Sequence, residues 1–331
     1  MIGGVKMRCA LVSDIHGNIY ALDAVLKDAI SQNIDRIIFL GDYCVGIPAP
    51  NKSIESMRRI ELPAHYIEGN EDEGLLNLSK QSAISLTDGQ FAMTYWTYNE
   101  LSDNNIDFLM GLQKTMRIFS ETSTSIHAFH KPDMFFRGTF VTTLEARQYY
   151  TDVKAGKYTN QTFLSFVQHS LISDAPLLKM LDALSDGVYA FGHSHIQWSC
   201  AVGNKLLISP GSCGAPLDLQ PGAPYAVLEY SDRKWNVELR RIQYDTDNVI
   251  KLIADSRLEC SARVWASLVG MEVLTAHEQA VPFLEYAEKY AKSINDCCRP
   301  FSKNTWFNAF KCWVELNNAD YKSNITKMVQ L

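Results

Sequence analysis

Apolar runs that stop at short polar clusters constrain this chain more than any other feature of its sequence. Residues 8–13 lead into Asp14-Ile15-His16, Arg36 to Leu40 into Gly41-Asp42, and His65 to Glu68 into Gly69-Asn70-Glu71. Further on, a run from the turn around Ser123 carries His127 and His130, and Val188 to Phe191 leads into Gly192-His193-Ser194-His195. Between the first two clusters, Leu22, Val25, Leu26, Ala29 and Ile30 recur at helical spacing. Strand, loop and helix therefore alternate, as in a buried and partly parallel sheet. Loops that leave the carboxyl ends of such strands converge on one crevice, so the clusters are expected to meet there.

The second half carries more strands and less helix. Lys205 to Ser209 runs into Pro210-Gly211, and Tyr225 to Tyr230 and Trp235 to Ile242 alternate as antiparallel partners do. The expected architecture is α/β: two packed mixed sheets flanked by helices, a four-layer αββα sandwich, over residues 1–245. Residues 131–186 read as an insertion over the site, helical from about Thr162 to Leu184. After Tyr244-Asp245 the strand signals stop, and 246–331 reads as a helical extension packed on the core. Within it Pro282 suits a helix's first turn, and Trp306, Phe310 and Trp313 form an aromatic stripe expected to pack on its own domain.

A hydrophobic fraction of 47% over 331 residues is ample for a core. The net charge of -6 supplies no global positive field, which disfavours stable nucleic-acid binding. No uninterrupted apolar stretch is long enough to span a bilayer, and the first residues lack the pattern of a signal peptide, so a soluble cytoplasmic protein is expected. The eight cysteines show no C-x-x-C spacing and read as reduced, mostly buried thiols.

The clusters carry hard oxygen and imidazole donors, a set that favours Mn, Fe, Co, Ni or Zn and points to metal-assisted hydrolysis. In Asp14-x-His16, residues two apart in an extended segment face the same side and can reach one metal. Two imidazoles after a strand and a glycine, as in Gly192-His193-Ser194-His195, have few structural uses. Asp42 places a charge at the end of an apolar strand, where a compensating cation is needed, and its two oxygens can bridge two ions. Asn70 offers a neutral donor, or simply a turn residue.

The five clusters, in this order, resemble the calcineurin-like metallophosphoesterase superfamily, whose pattern runs D-x-H, G-D, G-N-H-D/E, a lone H and G-H-x-H. The likeness covers about residues 7–245, and Asp14 to Asn18, Ser209 to Ser212 and Arg241 to Asp245 look like its compact bacterial branch, labelled diadenosine tetraphosphatase-like or phosphodiesterase-like. The resemblance implies two divalent metal ions, manganese first among the candidates. Asp14, His16 and His195 would hold one, Asn70, His193 and the lone histidine the other, and Asp42 would bridge. Asp42, Asn70 and His193 also take the catalytic assignment. His130 is favoured over His127 as the lone histidine because it stands at a strand end. A water acidified between the metals would then attack phosphorus in line.

The implied substrate is a small phosphoester or a nucleotide polyphosphate such as a dinucleoside polyphosphate. A cyclic-nucleotide phosphodiesterase or nuclease on the same fold is the alternative, and a noncatalytic protein-binding scaffold is a further one. Asn18 is a candidate phosphate contact or a helix cap, and Arg137, Arg147 and Lys154 are candidate phosphate clamps or surface charge. One departure stands out, because Glu71 occupies the position of the family's histidine. It would act as a general acid with a raised pKa, or turn outward, or restrict the enzyme to substrates with good leaving groups.

Overall fold

The structure, a computed structural model, describes residues 7–78, 89–119, 124–232 and 234–317. Among the described residues, ten strands form two five-stranded sheets. In the first, β1 (Met7–Val12), β2 (Arg36–Phe39) and β3 (Ala64–Tyr66) run parallel, and β9 (Ala223–Ser231) and β10 (Lys234–Ile242) extend it antiparallel from the β1 edge. In the second, β5 (Ser125–Phe129), β6 (Gly187–Ala190) and β8 (Lys205–Pro210) are parallel, with β4 (Thr115–Phe119) and β7 (Gln197–Val202) antiparallel at the edges.

Strand alternation builds the layers. Cys9 and Leu11 of β1 face Ala128, Val188 and Ile208 of the other sheet, while Ala10 and Val12 face outward to helices. On that outer side lie α1 (Ile19–Ser31), α2 (Pro50–Arg58), α3 (Asn70–Leu78), α4 (Ala92–Glu100) and α5 (Asp103–Met110). Helix α1 buries Ala21, Leu22, Val25, Leu26 and Ala29. Ile30, expected on that face, is 55% exposed in the last turn of the helix, whereas Ala29 beside it is buried.

The segment between β5 and β6 is helical well before Thr162. It holds α6 (Asp133–Phe136), α7 (Ala146–Lys154), α8 (Phe163–Ile172) and α9 (Ala175–Asp182). Its buried side chains Phe136, Tyr149, Phe163 and Val167 pack with Phe129, Phe191 and Trp198 on the outer face of the second sheet. These aromatic residues therefore form the fourth layer of the sandwich.

Beyond β10 come α10 (Thr246–Asp255), α11 (Leu258–Thr275), α12 (Ala280–Ser293) and α13 (Lys303–Leu316). Val249, Ile253 and Ala266 join the core between the first sheet and its helices. The stripe on α13 packs against α12, with Phe283 4.9 Å from Trp306 and 5.5 Å from Phe310 between ring centroids. Among the described residues no helix is long and apolar enough to cross a membrane.

Candidate metal centre

Five parallel strands, β1, β2, β3, β5 and β6, deliver the polar clusters to one edge of the sandwich. The loops there are tied to each other by backbone hydrogen bonds. Asp14 N–H donates to Gly41 O (3.0 Å), His16 N–H to Asp42 O (3.0 Å) and Gly192 N–H to His130 O (3.1 Å). Asp14, His16, Asp42, His193 and His195 all have positive φ, between 50° and 70°. The expectation that Asp14 and His16 converge because their segment is extended is therefore corrected. A left-handed turn at each residue aims the side chains inward, the kind of strained backbone that is sustained at functional sites. Close approach also restricts Gly69, where a Cβ would lie 2.1 Å from Asp42 Oδ1.

Side-chain geometry follows from these turns. Three imidazoles are gripped through Nδ1 by backbone carbonyls: His16 by Val45 (2.7 Å), His130 by Leu40 (2.6 Å) and His195 by Ala215 (2.6 Å). Nδ1–H donates to the carbonyl in each, which leaves Nε2 to face the centre. There His16 Nε2 and His195 Nε2 stand 3.2 Å apart, and His195 Nε2 is 3.3 Å from Asp14 Oδ1. On the other side His130 Nε2 is 3.1 Å from Asp42 Oδ2 and 3.1 Å from Asn70 Oδ1.

These spacings fit a metal. Ligands about 2.0–2.2 Å from one ion, at angles near the tetrahedral or octahedral values, lie about 3.0–3.5 Å from each other. Two sets of donors each close within 4.8 Å, Asp14 with His16 and His195, and Asp14 with Asp42 and His130. His193 sits at the side of the second set, its ring centroid 5.5 Å from that of His130 and its backbone N–H 3.1 Å from Asp14 Oδ1.

The electrostatics show what the centre demands. Burial pushes the Asp42 carboxyl up, but the charge and hydrogen bond of His130 override it and hold it well below the usual carboxylate range. Burial opposes protonation of His130 and His195, yet Asp42 and Asp14 drive them up to about 10 and about 9. His193 goes the other way, down to about 4, through burial and the neighbouring charge of His130. With protein groups alone, the buried carboxylates are balanced by protons on two histidines. Divalent cations supply the same compensation through the same Nε2 atoms.

Several sequence expectations meet definite positions here. His130 lies in the cluster, whereas His127 stacks on Tyr189 (4.6 Å between centroids) and bonds Ser125 Oγ at 3.0 Å, away from it. Asn18 occupies the cap position of α1, and its side-chain oxygen and nitrogen are both engaged within the protein. Its Oδ1 accepts from Ala21 N–H (3.1 Å), and its Nδ2 donates to Gly214 O (2.8 Å) and to Tyr244 Oη (3.2 Å). Arg137 does not line the cleft, since its side chain is 84% exposed and, just past the end of α6, lies 3.6 Å from Asp133 at that helix's start. Arg147 pairs with Glu285, and Lys154 lies over the Tyr150 ring.

Glu71 faces the cleft beside the centre instead of turning outward. Its backbone N–H donates to Asp42 Oδ1 (2.8 Å), and its Oε1 accepts from Asn70 Nδ2 (3.0 Å). The second bond fixes the amide so that Asn70 Oδ1 points at His130. Burial, with the charge of Asp42 added, pushes the Glu71 carboxyl up.

Two features were missed from sequence. Asp72 is buried and accepts from the backbone N–H groups of Asp42 (2.9 Å), Tyr43 (3.0 Å) and Gly69 (2.9 Å), so it locks two ligand loops together. Its signal was the D/E position of the G-N-H-D/E pattern, which falls on Asp72, although no role was assigned to it there. The other is the wall of the cleft. The centre opens into a cavity of about 390 Å³, and Trp265, Val269, Glu272, Glu278, Val281 and Leu284 of the α11–α12 region line its far side. Residues 131–186 contribute only Glu145 and Ala146.

Residues 7–233 match the calcineurin-like phosphoesterase superfamily domain. The chain is 30% identical over 263 residues to an uncharacterized protein of Methanocaldococcus jannaschii, an alignment that covers 77% of this chain and 95% of that one. A metallophosphoesterase from Sphaerobacter thermophilus is similar in fold, with a TM-score of 0.55 at 18% identity over 82% of this chain and 99% of that chain. So is a hypothetical protein from Pyrococcus horikoshii OT3, with a TM-score of 0.57 at 15% identity over 82% of this chain and 100% of that chain.

Proposed function

Because this chain belongs to the calcineurin-like phosphoesterase superfamily, we propose that it is a hydrolase of small phosphoesters or nucleotide polyphosphates that works with two divalent metal ions. The observation that carries this reading is the convergence of three Nε2 atoms, two buried carboxylates and an amide oxygen at metal-ligand spacing. Asp14, His16 and His195 would hold one ion, and Asn70, His130 and His193 the other, with Asp42 shared. Manganese, or else Fe, Zn, Co or Ni, suits this mixture of oxygen and nitrogen donors. Such a pair supplies an acidified water as nucleophile and neutralises charge on the phosphoryl oxygens.

The chain's own groups prepare the site for that chemistry. Carbonyls at Val45, Leu40 and Ala215 fix three imidazole tautomers, so no reorganisation is needed when substrate arrives. Glu71 orients Asn70, and Asp72 keeps the Asp42 loop against the Gly69 loop. His193 lines the cleft beside the other candidate ligands. The cleft is too small and too acidic for a duplex, which argues against a nuclease.

The test is turnover of p-nitrophenyl phosphate, bis-p-nitrophenyl phosphate and a dinucleoside polyphosphate by purified protein with Mn²⁺. Activity that EDTA removes and Mn²⁺ restores is expected on at least one. Metal-independent activity, or none on any of the three, would overturn the reading.

A further inference from the structure

The cavity beside the centre has a composition that selects among phosphoesters. It is continuous with His16, Asp42 and Asn70 at one end, and its far wall belongs to α11, α12 and the turn between them. Among the described residues no lysine or arginine lines it, whereas Glu145, Glu272 and Glu278 do. A chain of phosphates extending beyond the metals would meet carboxylates, with no cation to pair the added charges.

The three carboxylates are not equivalent. Glu272 is spent on structure, for its Oε1 accepts the N–H groups of Gln279 (2.8 Å) and Ala280 (3.0 Å) at the start of α12. Glu278 Oε2 is buried and accepts no hydrogen bond among the described residues. Arg147 is within electrostatic range of Glu278, but Glu285 engages it and it does not line the cavity. Next to these groups stands Trp265, whose indole N–H donates to Gln90 O (3.0 Å), so the ring is held as a fixed surface against the cavity. Val269, Val281 and Leu284 complete an apolar surround.

A fixed aromatic surface, the Glu145 and Glu278 carboxyl groups and apolar walls on one cavity together suit an alkylammonium group, which gains from the ring, the negative charge and the apolar surround at once. Resting on the phosphoesterase reading, we infer that the preferred substrate is a phosphoester bearing a single phosphoryl group whose organic end is a small cation, an amino alcohol of the choline or ethanolamine type. Trp265 and Glu278 are then its specificity residues, and polyphosphates are poor substrates.

The experiment compares, with Mn²⁺ present, p-nitrophenyl phosphorylcholine, ethyl p-nitrophenyl phosphate and diadenosine tetraphosphate. The first two share a leaving group and differ in the charge of the organic end. The choline ester is expected to show kcat/KM about tenfold above the ethyl ester, mainly through KM, with the tetraphosphate lowest. Glu278→Gln and Trp265→Leu should each reduce the preference several-fold, and tetramethylammonium should compete with the choline ester less well in both variants. Turnover of all three substrates without a choline preference, or a preference that Glu278→Gln leaves intact, overturns the inference and leaves the phosphoesterase reading standing. No turnover of any of the three overturns the inference, and it overturns the phosphoesterase reading as well only if p-nitrophenyl phosphate is also left intact. A variant that fails to fold leaves the other variant and the wild-type comparison to decide.

Discussion

The two ends of the cleft are built by different means. At the metal end, every candidate ligand sits at or just beyond the end of a parallel strand, and backbone hydrogen bonds tie the loops together. Five of the ten non-glycine residues with positive φ among the described residues belong to it. At the far end, the wall consists of side chains on α11, α12 and the turn between them, positioned by apolar packing among helices. The difference teaches that precision and selectivity have separate structural sources here. Backbone geometry holds the donors where chemistry tolerates little error, and helix packing presents a surface that substitution can retune without disturbing them.

The comparison can be broken first at Asp42. Asp42→Asn removes the buried Asp42 charge, and kcat/KM should fall on the order of 10³-fold while circular dichroism stays native. An active Asp42→Asn protein would mean that the metal end is not the reacting end. Next come the histidines. His130→Ala should cost on the order of 100-fold, and His127→Ala should stay within about twofold of wild type, measured as kcat/KM on the same chromogenic ester. Comparable losses would remove the distinction drawn between them.

Metal removal tests stability. With Mn²⁺ at about 100 times its dissociation constant, the folded state should gain about 2.7 kcal/mol per site, seen as a lower melting temperature after EDTA and recovery on adding metal. A melting temperature indifferent to both would contradict the electrostatic demand of the buried carboxylates. The smallest effect is chemical. Cys9, Cys44, Cys200 and Cys213 are buried in and around the sheets, and burial pushes the Cys9 thiol up to about 12, whereas Cys260, Cys297 and Cys298 are exposed on the helical extension. A thiol reagent should therefore modify Cys260, Cys297 and Cys298 rapidly in native protein, half-buried Cys312 more slowly, and the four buried cysteines only after unfolding. Fast reaction at the sheet cysteines would show that the sandwich opens as readily as the extension.

Much of the metal end was legible because its signals are local. Strands such as Val188 to Phe191 were read within a residue of their observed bounds, and the polar clusters follow them directly in sequence. Expectations failed where the deciding contacts are distant. Asn18 was ambiguous until Gly214 and Tyr244, some two hundred residues away, were seen to use up its amide. Arg137 looked like a phosphate clamp by charge alone, but it follows the end of α6 with its side chain in solvent. Residues 131–186, read as an insertion over the site, direct their aromatic side chains into the second sheet's outer core, and the α11–α12 region supplies most of the opposite wall. Nothing in the helical spacing of 258–293 marks Trp265 or Glu278 as facing a cleft, because helices reveal their buried faces in sequence but not their neighbours.

The sequence by itself determined which residues carry chemistry, their order along the chain and the strand ends from which they project. A strand's termination and a ligand's identity are both written within a few adjacent residues. Only the tertiary structure decided the left-handed turns that aim Asp14, His16 and Asp42, the Asp72 bonds that lock their loops, and the acidic, aromatic wall facing them. Those depend on segments far apart in the chain being packed to within hydrogen-bonding or contact distance, which only the folded chain brings about.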